Sequence, residues 1–439
     1  MSSEANPVRS NGLRVSRSEL VSVAAMLLGV FILRLVFSQH LALLEAFNQY
    51  NLFFEADPNQ YVNGISNGRG FGHHVHPGFA LLVNVPVRVL DSLVALVSVS
   101  PAGTVRGLAP IVLPAVLATL SGFVWWAACV EAEISRFVRV GGVVLFQGSF
   151  SEIIFGSIPE SYGLAGLLYC ILLWMVGRHA RGIQPLSSRR VQVTWLAVAV
   201  LLSSVTVSNG FICIAAWLAL RYQSIPWRAW LLEGALACAA VTVSIVTIAQ
   251  VDSLVYGRGD HILFNRDGTV NWVKHYVGPS VGKRVAELPA YGLASIAPGS
   301  PRRVRNEIAE RNHDRHPFAY SFESEHVDWI WVSLTWLATL GALWASRPVL
   351  VHSVFFRATF AIIAANVLVH VFWGPEIFLY SQHWLAFLSF AIVRAIDVHT
   401  VARKWLISGL VIIIVAWNLT VVSEILQDLN SSVPSISRN

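Results

Sequence analysis

Residues 20–37 read LVSVAAMLLGVFILRLVF, eighteen positions holding a single charge, and their length decides what kind of protein this is. A helix of roughly 20 apolar residues spans the ~30 Å hydrocarbon core of a bilayer. Arg9, Arg14 and Arg17 precede the run and no small-residue cleavage site follows it, so it reads as a signal anchor retained in the chain. Arg34, near its far end, is expected to snorkel outward. The rest of the 439 residues repeats the theme: hydrophobic residues make up 55% and Asp, Glu, Lys and Arg only 13%. Soluble chains carry about a quarter charged residues. Mean hydropathy is +0.59.

Spans are expected at 20–38, 108–130, 138–155, 160–177, 192–208, 210–222, 229–250, 327–345, 353–372, 382–396 and 405–424. The fold class is therefore an all-α polytopic membrane protein of about 11 transmembrane helices, within a range of roughly 10–12. The region 192–222 could instead form one broken helix. The apolar stretch 78–99 carries Arg88 and Asp91 at its middle and is read as a juxtamembrane helix on the outer side. Orientation follows from arginines in short loops. Arg178, Arg181, Arg189 and Arg190 mark 178–190 as cytoplasmic, and Arg136, Arg139, Arg221, Arg228, Arg347, Arg394, Arg403 and Lys404 mark the other inner loops. These marks agree with a cytoplasmic N-terminus in the plasma (inner) membrane only if 78–99 makes no full crossing.

The chain then divides into a cytoplasmic tail (1–19), an N-terminal transmembrane module (20–250) with outer loops at 39–77 and 156–160, a large extracytoplasmic loop (251–326), C-terminal transmembrane helices (327–424) and a polar tail (425–439). The large loop holds 19 of the 56 charged residues, ten basic and nine acidic, with one helix expected near 301–312. Its aromatic residues Trp272, Tyr276, Tyr291, Phe318, Tyr320 and Phe322 could dock it on the bundle as a lid. Cys129, Cys170, Cys213 and Cys238 all sit in apolar runs and read as packing residues. The net charge of +6 lies at helix ends, where membrane orientation accounts for it and nucleic acid is not implied.

Polar residues gather in the outer loops. The first reads FNQYNLFFEADPNQYVNGISNGRGFGHHVHPGFALL over residues 47–82, with Glu55, Asp57, Tyr61, Arg69, His73, His74 and His76. Carboxylates at the outer mouth of a helical bundle suit a general base or a bound cation, although a capped surface helix alone would explain Glu55 and Asp57. The adjacent His73 and His74 cannot easily face one metal ion, so no metal site is assigned. The second outer turn, SFSEIIFGSIPESYGLAGLLY (149–169), carries Glu152 and Glu160, with Pro159 placed for the first turn of a helix. Glu160 suits the positive end of that helix, and the topology also puts it on the same side as Asp57. TVSNGF (206–211) could bring the Asn209 amide to the same cavity. FWGPEIFLYSQHW (372–384) offers Glu376, Tyr380, Gln382 and His383, more polarity than an interfacial aromatic belt requires.

Four features together resemble the GT-C superfamily of membrane glycosyltransferases, most of all its protein O-mannosyltransferase and aminoarabinose-transferase branch. They are Glu55-Ala56-Asp57 with Tyr61 downstream, His76-Pro77-Gly78 opening an apolar helix, Pro159-Glu160-Ser161-Tyr162, and a large outer loop late in the chain. Two departures stand out: Gly78 where the branch has a second proline, and Pro58 rather than a second acid after Asp57. The resemblance implies a polyprenyl-phosphate-linked sugar as donor, presented on the outer face, and an acceptor hydroxyl on a glycan, lipid or protein. It implies Asp57 as the general base and Glu160 as the group orienting sugar or acceptor. Glu55, Tyr61, His74, Asn209, Glu376, Tyr380 and His383 would complete the substrate site, with Arg69, His76, Lys274 and His275 toward the phosphate. No cofactor is implied, a divalent cation staying open, and no Gly-rich nucleotide cradle is present. The alternatives are a transporter or flippase using the same acids and histidines, and a GT-C-like scaffold without activity.

Overall fold

The computed structural model describes residues 15–48, 76–97, 108–183, 185–222, 224–256, 353–372, 377–398 and 402–432. It also describes positions 52–54, 56, 58, 61, 62, 291, 292, 294–299, 301–307, 310, 316, 318–322, 337 and 341. The helices are α1 (Arg17–Leu43), α2 (Phe79–Val97), α3 (Ala109–Glu131), α4 (Arg136–Gln147), α5 (Phe150–Phe155) and α6 (Ser161–Ala180). They continue as α7 (Arg189–Val205), α8 (Val207–Arg221), α9 (Trp227–Tyr256), α10 (Val354–Phe372), α11 (Gln382–Val398) and α12 (Arg403–Ser432).

Their packing inverts the pattern of a water-soluble bundle. Leu33, Leu232, Val243, Leu368 and Ile412 face outward, while Asn209, Asn366, His370, His383 and Asn418 are fully buried. Hydrocarbon around the bundle rewards that arrangement, because polar groups there must find partners inside the protein. Among the described residues, five helices, α1, α3, α6, α9 and α12, are long and apolar enough to cross a membrane.

Contacts sort the helix termini onto two ends. At one, the basic end, Glu19 of α1 meets Arg139 of α4, Glu131 of α3 meets Arg181 after α6, Arg221 of α8 meets Glu233 of α9, and Asp397 of α11 meets Arg403 of α12. At the other, the loop end, Ser151 contacts Ser381 and Arg303 pairs with Asp428 near the end of α12. α1 runs from the basic end to the loop end, and α3 runs back beside it. The chain from Leu43 to Ala109 therefore starts and finishes at the loop end. α2 belongs there too: Gly78, just before it, donates its N–H to Ser204 near the end of α7. The expectation that 78–99 makes no net crossing agrees with this packing.

Several local expectations change. The segment 138–155 is not one helix, because α4 stops at Gln147 and α5 restarts at Phe150. The break leaves N–H groups to satisfy, and the outer loop supplies the acceptors: Phe150 N–H donates to Ile296 O (3.1 Å) and Ser151 N–H to Ser295 O (2.9 Å). Asn418 of α12 adds bonds to Gly148 O (2.7 Å) and Ile296 O (2.6 Å). The region 192–222 is an antiparallel helix hairpin that turns at Thr206, as Trp195 against Trp217 shows (5.4 Å between ring centroids). Gly210 permits the tight pairing, since a Cβ there would collide with Ser203 and the Ala199 carbonyl. Arg34 does not snorkel: it is 5% exposed and donates to Gln147 O at 2.6 Å. The span expected at 327–345 lies outside the described residues except for Leu337 and Gly341.

The chain is mostly helical as expected, but the helix near 301–312 needs correction at its start. Arg302–Arg305 is a strand, β1, paired antiparallel with Phe318–Ser321, β2. Partners distant in sequence make the strand: β2 is held on its other side by the first outer loop, through Phe54 N–H to Tyr320 O and Tyr320 N–H to Leu52 O, both 2.9 Å. Arg303 also lies over the Phe318 ring, 4.4 Å from its centroid. Beneath this hairpin Phe54 packs on Phe150, Phe322 and Phe378, forming an aromatic plug over the loop end. Tyr291, Phe318, Tyr320 and Phe322 of the large loop are buried, as a docked cover requires, whereas Trp272 and Tyr276 lie outside the described residues. The last helix continues through 425–432, part of the expected polar tail.

Candidate functional site

Of the residues singled out in the sequence, Glu55, Asp57, Arg69, His74, Lys274, His275 and Glu376 lie outside the described residues. Tyr61, His76, Glu160, Asn209, Tyr380 and His383 are placed, and all but Glu160 fall on one contiguous run of contacts at the loop end.

The run starts at Tyr61, whose ring lies 6.3 Å from that of His76 and 5.3 Å from Phe79. His76 Nδ1 bonds the Val205 carbonyl at the α7–α8 turn and approaches Thr206 Oγ1 (3.4 Å). Thr206 in turn accepts the Asn209 backbone N–H (2.9 Å) at the start of α8. The Asn209 amide nitrogen lies 3.4 Å from His383 Nε2 at the start of α11. His383 Nδ1 is 3.1 Å from Nε2 of His370, and Asn366 donates to the His383 carbonyl (3.2 Å). Tyr380 stacks on His370 with ring centroids 4.1 Å apart, and Tyr162 reaches both Tyr380 (6.0 Å) and His383 (5.8 Å). Glu160 lies two residues before Tyr162 in the chain.

Glu160 has a structural task here. It is the N-cap of α6 in extended conformation, and its side chain accepts the Ser161 N–H at 2.7 Å. Pro159 accordingly precedes the cap instead of occupying the first helical turn. Helix N-termini favour such a carboxylate by both hydrogen bonding and dipole.

His76 differs from the phosphate ligand expected of it. Burial pushes its imidazole down to about 4, against an ordinary 6.5. At neutral pH it is uncharged, and with Nδ1–H donating to the Val205 carbonyl, Nε2 carries a lone pair. That nitrogen suits a donor hydroxyl better than a phosphate oxygen. The unfolded chain takes up this proton first as pH falls, so the contribution of neutral His76 is complete above pH 6.5 and is lost as pH drops toward 4. A carbon-bound ring proton of His76 followed by NMR should titrate near pH 4; titration near 6.5 would mean that water reaches the ring.

Gly78 explains one departure from the GT-C pattern. Its N–H bonds Ser204 O at 2.9 Å, which a proline could not do. A Cβ there would also stand 2.7 Å from Ser204 Cβ and 2.8 Å from Ile248 Cγ2. Gly78→Pro is expected to cost about 1–3 kcal/mol from the orphaned carbonyl alone, read as a lower Tm of the purified protein in detergent. An unchanged Tm would show that α2 does not lean on the α7–α8 turn.

Sequence reasoning passed over His370 and Asn366, though an ionisable residue within an apolar helix is itself a signal. It also missed a second buried network beside the run. Arg34 interacts electrostatically with Glu152 of α5, Gln382 donates to Ser151 Oγ (3.1 Å) and Gln147 donates to Ala118 O (2.8 Å). Among the described residues, no group of three His, Cys, Asp or Glu side chains could hold a metal ion.

These features define an α-helical, multi-pass membrane protein with a polar and aromatic cluster at one end of its bundle. No protein-family model matches the sequence, and no curated protein sequence matches it. Among solved structures it is similar to the oligosaccharyltransferase of Archaeoglobus fulgidus in its apo form, at 11% identity and a TM-score of 0.45, over 93% of this chain and 57% of that one. It is also similar to the same archaeal enzyme in complex with an inhibitory peptide and a dolichol-phosphate, at 13% identity and a TM-score of 0.41, over 94% and 56%. The chain spans little more than half the length of that enzyme, and the fold assignment rests on its own helices.

Proposed function

We propose that this chain is a membrane glycosyltransferase of GT-C type that draws on a polyprenyl-phosphate-linked sugar at the loop end of the bundle. The observation that carries the reading is the continuous run Tyr61–His76–Asn209–His383–Tyr380–Tyr162, polar and aromatic, with Tyr61, Asn209, His383 and Tyr162 buried and His76 and Tyr380 half-buried at the loop end. Aromatic faces with hydrogen-bonding groups between them are the chemistry that holds a sugar ring.

In this reading the acceptor hydroxyl, on a glycan, lipid or protein, attacks the anomeric carbon. The C1–O bond to the lipid phosphate breaks, and the polyprenyl phosphate leaves with the electron pair. Asp57 takes the hydroxyl proton, and Arg69, Lys274 and His275 meet the phosphate where charge develops. Glu55, His74 and Glu376 would complete the substrate contacts, and Glu160 orients sugar or acceptor as well as capping α6. The loop end then faces outward and the basic end faces the cytoplasm of the plasma membrane, in a chain of about 11 spans.

Orientation is checked by reporter fusions: one after residue 185 should behave as cytoplasmic and one within 255–320 as external. The opposite result would put the polar cluster on the wrong face. The functional test is lipid analysis of a deletion strain, in which an unused polyprenyl-phosphate sugar should accumulate and fall again on complementation. An unaltered lipid pool, together with pH-coupled uptake by proteoliposomes, would make the protein a transporter instead.

A further inference from the structure

At the opposite end, α7, α8 and α9 enclose a groove of about 310 Å³ that none of this chemistry uses. That volume lies within the ~300–1,000 Å³ of small-ligand sites. Its walls include Trp195, Cys213, Trp217, Glu233, Ala237 and Ala240. It opens beside Leu236, which is 62% exposed on the outer surface of the bundle. We propose that this groove holds one acyl chain of an anionic glycerophospholipid from the leaflet at the basic end, with the headgroup phosphate on the arginines at its mouth.

Three observations support that occupant. The first is depth. From Gln192 to Ala199 the groove follows α7 for about 10 Å at 1.5 Å per residue, about a third of the ~30 Å hydrocarbon thickness. It stays within one leaflet and is too short for a spanning helix of a partner. The second is charge. Arg189 shares a helix face with Gln192, one turn deeper and in the groove wall, and Arg190, Arg221 and Arg228 cluster at the same end. The single acid there among the described residues, Glu233, is already held by Arg221 (3.1 Å) and by the Trp217 indole (2.6 Å), leaving Arg189, Arg190 and Arg228 without a carboxylate at that end to offset them. The third is the Trp195 side chain. It is 3% exposed, lines the groove, and its indole N–H has no partner among the described residues. It lies one to two turns deeper than Arg189, where an ester carbonyl of a lipid held by its phosphate would accept that N–H. Tyr222 and Trp227, 69% and 66% exposed, place the water–lipid boundary at the mouth.

The test uses the purified full-length protein, stripped of lipid in detergent and offered mixed vesicles of phosphatidylglycerol and phosphatidylcholine, with bound lipid counted by native mass spectrometry. One phosphatidylglycerol per chain should be retained in preference to phosphatidylcholine. Loss of each mouth arginine, in Arg189→Gln and Arg228→Gln, should lower that retention roughly fivefold. Ala237→Phe fills the groove without touching the arginines and should abolish retention, while its Tm in phosphatidylcholine alone stays that of the parent. Equal retention of both lipids, or undiminished retention by Ala237→Phe, would overturn the assignment. So would equal thermal protection by free glycerol phosphate, which would mark the arginines as a plain anion site. None of these readouts involves the polar cluster at the loop end.

Discussion

Asp57→Asn is expected to reduce glycosyl transfer by about a hundred- to ten-thousand-fold, the usual worth of a general base, with the same amount of folded protein in the membrane. The amide keeps the size of the carboxylate but cannot take the acceptor's proton. The comparison that gives the result meaning is Glu160→Gln. Glu160 caps α6 through a bond to the Ser161 N–H, and a glutamine oxygen accepts that bond equally well, so its effect should be far smaller. Glu160→Ala removes the cap and should cost about 0.5–2 kcal/mol of stability. Product formed per folded protein, measured for all three variants, separates the roles. Near-normal turnover by Asp57→Asn would remove it from the mechanism, and a large loss from Glu160→Gln would transfer the acid–base task to the capping residue.

Arg139→Ala is expected to be the most damaging single change to the bundle itself. Arg139 and Glu19 are 2% and 1% exposed, and their two parallel bonds are both 2.6 Å long. Trp126 adds an indole bond to the same carboxylate (3.1 Å), and Arg139 also donates to Ile134 O (2.9 Å). Removing the cation leaves Glu19 buried with only the indole, and breaking such a pair typically costs about 3–5 kcal/mol. Thermal unfolding in detergent and yield from the membrane should both fall sharply. Replacing both partners, with Glu19→Gln and Arg139→Met, should recover most of the loss. Equal damage from the double change would mean that packing, and not the stranded charge, sets the cost.

What could be read from the sequence follows from how far apart the causes lie. The apolar runs of α1, α3, α6, α9 and α12 needed only composition, and the orientation of α2 needed only the arginines at 178–190. Asn209, Tyr380 and His383 were legible because polar residues at helix boundaries are conspicuous against apolar neighbours. Arg34 was misjudged because its partner, the Gln147 carbonyl, is 113 positions away. The strand Arg302–Arg305 looked helical because nothing local announced Phe318–Ser321, let alone Leu52 and Phe54 alongside. His370 and Asn366 were overlooked within a largely apolar helix, although both contact His383.

The interruption between α4 and α5 also sets an order of assembly. Phe150 and Ser151 wait for the carbonyls of Ile296 and Ser295, so the partners lie 296 − 150 = 146 residues later in synthesis. At about 5–20 residues per second, the ribosome adds that length in roughly 7–30 seconds. Throughout that interval two backbone donors in the first half of the bundle lack their final acceptors, in or near hydrocarbon where an unmet N–H is costly. The early helices can insert, but they cannot close around the break until the large loop has been made and laid into it. Completion of the loop end is thus a late event in the birth of the molecule, waiting on the chain past residue 296.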